Sequence, residues 1–174
     1  MLLIRVEAKD FTEVVDLANV AYRKTGPGSS WNSETGLIEG TRLTLDLLRE
    51  DLAKDPEARL LIRRDEVGEL LGTVWLEPKG NGVWSLGLLT VRPDRQVGGL
   101  GKAILADAEE FVGERGGRKI RMTVLNVRET LIAWYERRGY ALTGETQPYP
   151  EQDGRFGRVL REGLFFVVME KDLA

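Results

Sequence analysis

The stretch at residues 94–105, DRQVGGLGKAIL, sets three glycines and a lysine ahead of a helical pattern. Glycines let a backbone approach a ligand closely, successive N–H groups point outward, and the first turn of a helix carries partial positive charge. An anion, above all a phosphate, suits such a place. The alternative is that Gly98, Gly99 and Gly101 only shape a turn into a surface helix. Register excludes two common owners. A P-loop with its GK on Gly101 and Lys102 would have Gln96 where the first glycine belongs and Ala103 where the magnesium-binding hydroxyl belongs. A dinucleotide fingerprint beginning at Gly99 would need a small residue where Ile104 stands. It should also open a βαβ unit rather than follow a run of strands.

The rest of the chemistry is bounded by two absences, since the chain has no histidine and no cysteine. Disulfides, thiolate zinc sites, cysteine nucleophiles, Ser-His-Asp triads and HExxH metal sites are all excluded. What remains is carboxylates, lysine, tyrosine, hydroxyls and backbone groups. That set favours a reaction in which a bound cofactor supplies the reactive group and the protein positions it, with no metal. A formal net charge of -3 gives no basic field for non-specific nucleic-acid binding. No segment approaches the roughly 18 apolar residues of a membrane span, and Arg5 and Glu7 interrupt the N-terminal MLLIRVEAKD. A cytoplasmic protein with no nucleic-acid or membrane partner is expected.

These groups must be positioned by a fold that 174 residues, 42% of them hydrophobic, can build as a single domain over residues 1–174. MLLIRVEA reads as a strand, and DFTEVVDLANVAYRK as a helix with Asp10 as its N-cap and Phe11, Val14, Val15, Ala18 and Tyr22 on one stripe. A glycine- and serine-rich loop over residues 25–40 separates it from a second helix in RLTLDLLREDLAK, ended by Asp55-Pro56. Residues 58–93 read as three antiparallel strands, broken near Asp65–Gly68 and at the KGNG turn. A helix from Gly99 to Arg115 buries Leu100, Ile104, Ala108, Phe111 and Val112. The strand KIRMTVLN follows, then the helix RETLIAWYERR stopped by Gly139, then two closing strands in GYALTGE and EGLFFVVMEKDL. The order predicts an α+β fold with a mixed, mostly antiparallel sheet of about six to seven strands and about four helices.

The segment LLTVRPDRQVGGLGKAI resembles the acyl-CoA signature Q/R-x-x-G-x-G/A of the GCN5-related N-acetyltransferase (GNAT) superfamily, matched at Gln96, Gly99 and Gly101. Downstream, LNVRETLIAWYERRGYALTGE resembles the family's next motif, a strand leading to a helix that carries YERxGF or YERxGY. Together the two cover roughly residues 83–145, and the element order around them fits the GNAT fold.

The resemblance implies acetyl-CoA as cosubstrate, a small-molecule or peptide amine as acceptor, and direct attack of the amine on the thioester within a ternary complex. It implies a gap between the strand of Trp84–Val91 and the strand of Ile120–Leu125, with the pantetheine arm alongside the backbone of Leu89, Thr90 and Val91. The amides of Gln96, Val97, Gly98, Gly99, Leu100, Gly101 and Lys102 would hold the pyrophosphate, Arg95 and Lys102 adding charge or being merely solvated. Gly87 would mark a bulge that opens the gap, or be a packing glycine. Tyr135 stands at the family's tyrosine, where a hydroxyl assists the leaving thiolate. Asn126 would contact the cofactor, although it lies further from Tyr135 than in the NxxAxxLY version. Several members use a glutamate on the strand before the loop, but WSLGLLTV has no carboxylate, so the base is elsewhere or is water relayed to Glu34, Glu77 or Asp153. Acceptor contacts are expected from Trp31, Glu34, Tyr149 and Asp153 in the two variable segments, with Trp31 alternatively anchoring its loop. A monomer or homodimer is compatible with all of this. A protein of the same fold that binds acyl-CoA as a sensor or scaffold without turnover is the competing reading.

Overall fold

A computed structural model describes residues 2–24, 33–95, 98–150, 154–155 and 157–173. Its main sheet has seven strands in the order β1-β3-β4-β5-β6-β9-β7. These are β1 (Ile4–Arg5), β3 (Arg59–Arg64), β4 (Leu70–Gly80), β5 (Val83–Val91), β6 (Lys119–Leu125), β9 (Phe165–Asp172) and β7 (Ala141–Pro148). Every neighbouring pair is antiparallel except β5 with β6. Four α-helices accompany it: α1 (Phe11–Arg23), α2 (Leu45–Lys54), α3 (Leu100–Gly113) and α4 (Glu129–Glu136). The expected α+β architecture is the one observed.

Alternation of side chains along the strands splits the core between the two faces of the sheet. On β3, Leu61 joins the cluster formed with α3 and α4, whereas Leu60 and Ile62 join the cluster formed with α1 and α2. The stripe expected on α3 is buried, with Ile104, Ala108 and Val112 fully enclosed. Each large apolar side chain buried there contributes roughly 1.5–3 kcal/mol. At Gly72 on β4 an added Cβ would stand 2.5 Å from the Ile104 side chain and 2.5 Å from the Thr90 carbonyl oxygen, so β4, β5 and α3 meet here without room for a side chain.

Two local expectations are corrected. Asp10 precedes α1 but makes no side-chain cap to it. Its carboxylate instead accepts the Glu7 backbone N–H at 2.8 Å and Arg64 at 2.8 Å, because the chain enters α1 through a 3₁₀ turn over Ala8–Asp10. The variable segments also hold regular structure. A short strand β2 (Ile38–Glu39) pairs antiparallel with β8 (Arg158–Val159) in a separate two-stranded sheet. Strands of two residues are too short to show an alternation of side chains, which hid this pair from periodicity. It brings the segment before α2 against the segment before β9, with Ile38, Leu125, Tyr149 and Leu164 as a small buried cluster.

Candidate functional site

The parallel partners β5 and β6 pair only over Val83–Ser85 with Lys119–Arg121. Beyond that register β5 runs on to Val91 and β6 to Leu125, with a cleft between them. The divergence has a local cause in β5. Thr73 pairs with Thr90 and Trp75 with Gly87, so one residue of β4 faces two of β5. This is a β-bulge, which bends the strand and strengthens its twist. Its strained residue is Leu88, at φ 46°, rather than the Gly87 suggested by composition. The Leu88 carbonyl holds the turn, accepting the Thr73 hydroxyl at 2.8 Å and the Thr90 hydroxyl at 3.2 Å.

A cavity of about 260 Å³ occupies the cleft. Of the residues expected there, Leu89, Tyr135, Glu34 and Tyr149 line it. Thr90 and Val91 are fully buried on β5 and pair with Thr73 and Gly72. Glu34 lies against Arg23 at 2.5 Å. Tyr149 is buried, 5.6 Å from the Phe166 ring. Trp31, Gln96, Val97 and Asp153 lie outside the described residues. Asn126 is not brought to the cleft. Its side-chain amide donates to the Gly163 carbonyl at 3.1 Å and its side-chain oxygen accepts the Phe165 N–H at 3.1 Å, so it ties β6 to the start of β9.

Three cleft residues had no signal of their own in the sequence. Tyr22 closes the apolar stripe of α1 and reads as core, yet it lines the cleft beside Arg42 and Arg128. Arg42 sits with its guanidinium 5.1 Å from the Tyr22 ring centroid, within cation–π range. Burial pushes the Arg128 guanidinium below its ordinary pKa, with the nearby Glu34, Tyr22 and Tyr135 acting the other way.

Tyr135 is held rigidly. Its ring meets Trp134 edge-on at 5.0 Å and Tyr140 at 5.6 Å. Burial drives its phenol well above the ordinary value, Tyr22 adding to the shift and Arg128 and Arg138 opposing it. The hydroxyl is therefore a neutral hydrogen-bond donor throughout the physiological range.

The glycine loop borders a different groove, adjacent to the cleft. Gly98 and Gly99 have φ 98° and 80°, and nothing stands within 4 Å of where a Cβ on either would be. Gly99 caps α3 without a side chain, leaving the first amides of a 14-residue helix open to an anion. Gly99, Gly101 and Lys102 line a second groove of about 390 Å³ with Trp134 of α4 and Arg138 just beyond its end. Leu131 lines both this groove and the cleft, so the two are neighbours. Leu100 is the first residue of α3 and packs on the core, while Arg95 is engaged by Glu69 at 3.0 Å.

A seven-stranded α+β sheet split between two parallel strands, with a glycine-led helix at the mouth of the split, defines the GNAT class of fold. The model of the Acetyltransferase (GNAT) family matches residues 21–140, and the chain belongs to that family. Solved structures agree in fold. A ribosomal-protein-S18-alanine N-acetyltransferase from Escherichia coli superposes with a TM-score of 0.71 at 16% identity, over 99% of this chain and 93% of that one. A ribosomal-protein-alanine N-acetyltransferase from Brucella melitensis gives 0.71 at 17% identity, over 99% and 100%. In sequence, the chain is 37% identical over 86 residues to a mycothiol acetyltransferase of Clavibacter sepedonicus, spanning 49% of this chain and 28% of that protein. It is 31% identical over 116 residues to one from Propionibacterium freudenreichii, spanning 62% and 36%. The matches thus span about a third of the length of these curated relatives.

Proposed function

We propose that this chain is an N-acetyltransferase, one domain over its 174 residues, which moves an acetyl group from acetyl-CoA to an amine in the cytoplasm as a monomer or homodimer. The observation that carries the reading is the early end of β5–β6 pairing at Ser85, with a cleft lined by Tyr135 beside a groove lined by Gly99. The open positions at Gly98 and Gly99, the amides of α3 and Lys102 suit the pyrophosphate. The backbone of Leu89, Thr90 and Val91 borders the pantetheine path. Membership of an acetyltransferase family and the names of the curated relatives support the same activity.

Acetyl-CoA, when bound, supplies a thioester whose acyl carbon is open to direct attack by an amine. No protein nucleophile is required, which suits a chain without cysteine or histidine. Tyr135 donates a hydrogen bond to the departing sulfur. A phenol near 10 is a weaker acid than a thiol near 8.5, so full proton transfer is uphill by about 2 kcal/mol even in water. Burial of Tyr135 widens that gap, leaving hydrogen-bond stabilisation as its contribution. Arg128 adds positive charge at the same end of the cleft.

The test is thiol release from acetyl-CoA across a panel of amines, together with calorimetric titration of CoA. Release that depends on an amine is expected. Tight CoA binding with no release across the panel would instead favour the sensor reading, and stronger thermal protection by ATP or NAD than by CoA would overturn the cofactor.

A further inference from the structure

A second cavity, of about 470 Å³, lies on the α2 side of β5. It shares Arg42, Gly87 and Leu88 with the cleft. Gly87 is the thin point of that shared wall, since it has no Cβ and nothing within 4 Å of where one would stand. An opening between the two cavities would fall at Gly87, where the shared wall carries no side chain.

The wall around this opening is chemically specific. Trp75 pairs with Gly87 and Glu77 with Ser85. Two residues apart on a strand, Trp75 and Glu77 share one face, and both line the second cavity. The Glu77 carboxylate thus stands one register step from the opening, steadied by an ion pair with Lys79. On the other side Arg42 is fixed by its backbone. The Asn19 side-chain oxygen accepts the Arg42 N–H at 2.8 Å and the Leu43 N–H at 3.2 Å, and its amide donates to the Leu43 carbonyl at 2.8 Å. The Arg42 guanidinium, which lines both cavities, would attract an anion carried next to the acceptor's amine. Leu43, Leu48 and Trp75 supply the apolar part of the cavity, and Asp51, Lys54, Asp55 and Arg155 line the rest, Arg155 paired with Asp51.

We propose that the second cavity is the acceptor site and that the acceptor is an α-amino acid with an apolar side chain, its carboxylate paired with Arg42 and its amine proton passed to Glu77. The proposal rests on the β5–β6 cleft being the acetyl-CoA site. In the step itself the ammonium gives one proton to the Glu77 carboxylate. The freed nitrogen then forms the C–N bond to the acyl carbon as the C–S bond breaks. Its second proton leaves with the sulfur as thiol, and Glu77 returns its proton to solvent.

The experiment compares L-leucine and L-phenylalanine with isopentylamine and phenethylamine, which lack only the carboxylate. Each amino acid should exceed its amine in kcat/KM by about tenfold or more, the worth of a charged hydrogen bond. Arg42→Gln should erase that preference and weaken calorimetric binding of L-leucine to the protein without cosubstrate by a similar factor. Glu77→Gln should lower kcat by about 100-fold while leaving KM for acetyl-CoA unchanged, with partial recovery in Glu77→Asp. Gly87→Val, whose side chain enters open space, should block the acceptor without loss of fold.

Equal or better turnover of the decarboxylated amines would overturn the acceptor class, and wild-type kcat in Glu77→Gln would overturn the proton route. CoA binding with no thiol release to either set would overturn this proposal and leave the cofactor reading standing. Absence of CoA binding would overturn both.

Discussion

The two flanks of β5 are built on different plans. On the β6 side the walls are backbone, held by a bulge, an early end to strand pairing and a helix N-terminus. On the α2 side the walls are side chains brought from α2 and the segment before it, from β4 and from the segment before β9. Backbone geometry imposed by a loop and a bulge is carried by contiguous residues, so it survives as a short motif. A pocket of side chains from distant elements has no such local record. The difference teaches why a cosubstrate common to a whole family can be met by a local signature, while the acceptor is met by whatever side chains the fold happens to bring together.

Substitution on the backbone side should have the largest effect. Replacing Gly98 and Gly99 together by valine forces two β-branched residues into positive φ, at roughly 1–3 kcal/mol each. CoA affinity measured by calorimetry should fall about 100-fold or more. Near wild-type affinity in that variant would remove the loop from the cofactor site.

Tyr135→Phe comes next. It removes a hydrogen bond to a charged leaving group and should lower kcat by about ten- to 100-fold, leaving CoA affinity within about twofold. Because burial keeps the phenol neutral, no alkaline limb from Tyr135 should enter the pH–rate profile below about pH 10. An unchanged kcat would take Tyr135 out of the mechanism.

Asn19→Ala tests the side-chain flank. Losing three hydrogen bonds to residues 42–43 should cost about 1–3 kcal/mol in denaturant unfolding. It should raise KM for the amine more than KM for acetyl-CoA, and equal changes in both would show that the two flanks are not independently held.

The smallest effect is electrostatic and far from either pocket. Burial raises the pKa of Asp10, but the Glu7 N–H and the Arg64 guanidinium outweigh it, and the carboxyl ends below its ordinary value. A lowered carboxylate stabilises above its unfolded pKa, and that stability is lost as pH falls through the folded value. Asp10→Asn should therefore destabilise the fold at pH 7, by an amount that shrinks as pH falls below the ordinary carboxyl value, read from urea midpoints.

How much of this was legible depended on the reach of each interaction. The helices α3 and α4 and the strands β5 and β6 follow from periodicity, and Gly99 and Tyr135 from motifs a few residues long. Leu88 escaped because nothing in its side chain marks a positive φ, and composition pointed to its glycine neighbour instead. Tyr22 escaped because an aromatic at helical spacing reads as core. The bonds of Asn126 to Gly163 and Phe165 were not legible, since these partners lie 37 and 39 residues further along the chain. Asp10 was read as a cap because its guanidinium partner, Arg64, is remote in the chain.

By itself the sequence determined the order of elements, the reactive groups available and the loop with the geometry for a phosphate. Each of these rests on local pattern or on residue type alone. Only the tertiary structure decided where β5 parts from β6, which residues the two cavities share, and that Tyr22, Arg42 and Arg128 line one cleft with Tyr135. Those arrangements depend on the pairing register of β4 with β5 and on packing across the sheet, which no window of neighbouring residues contains.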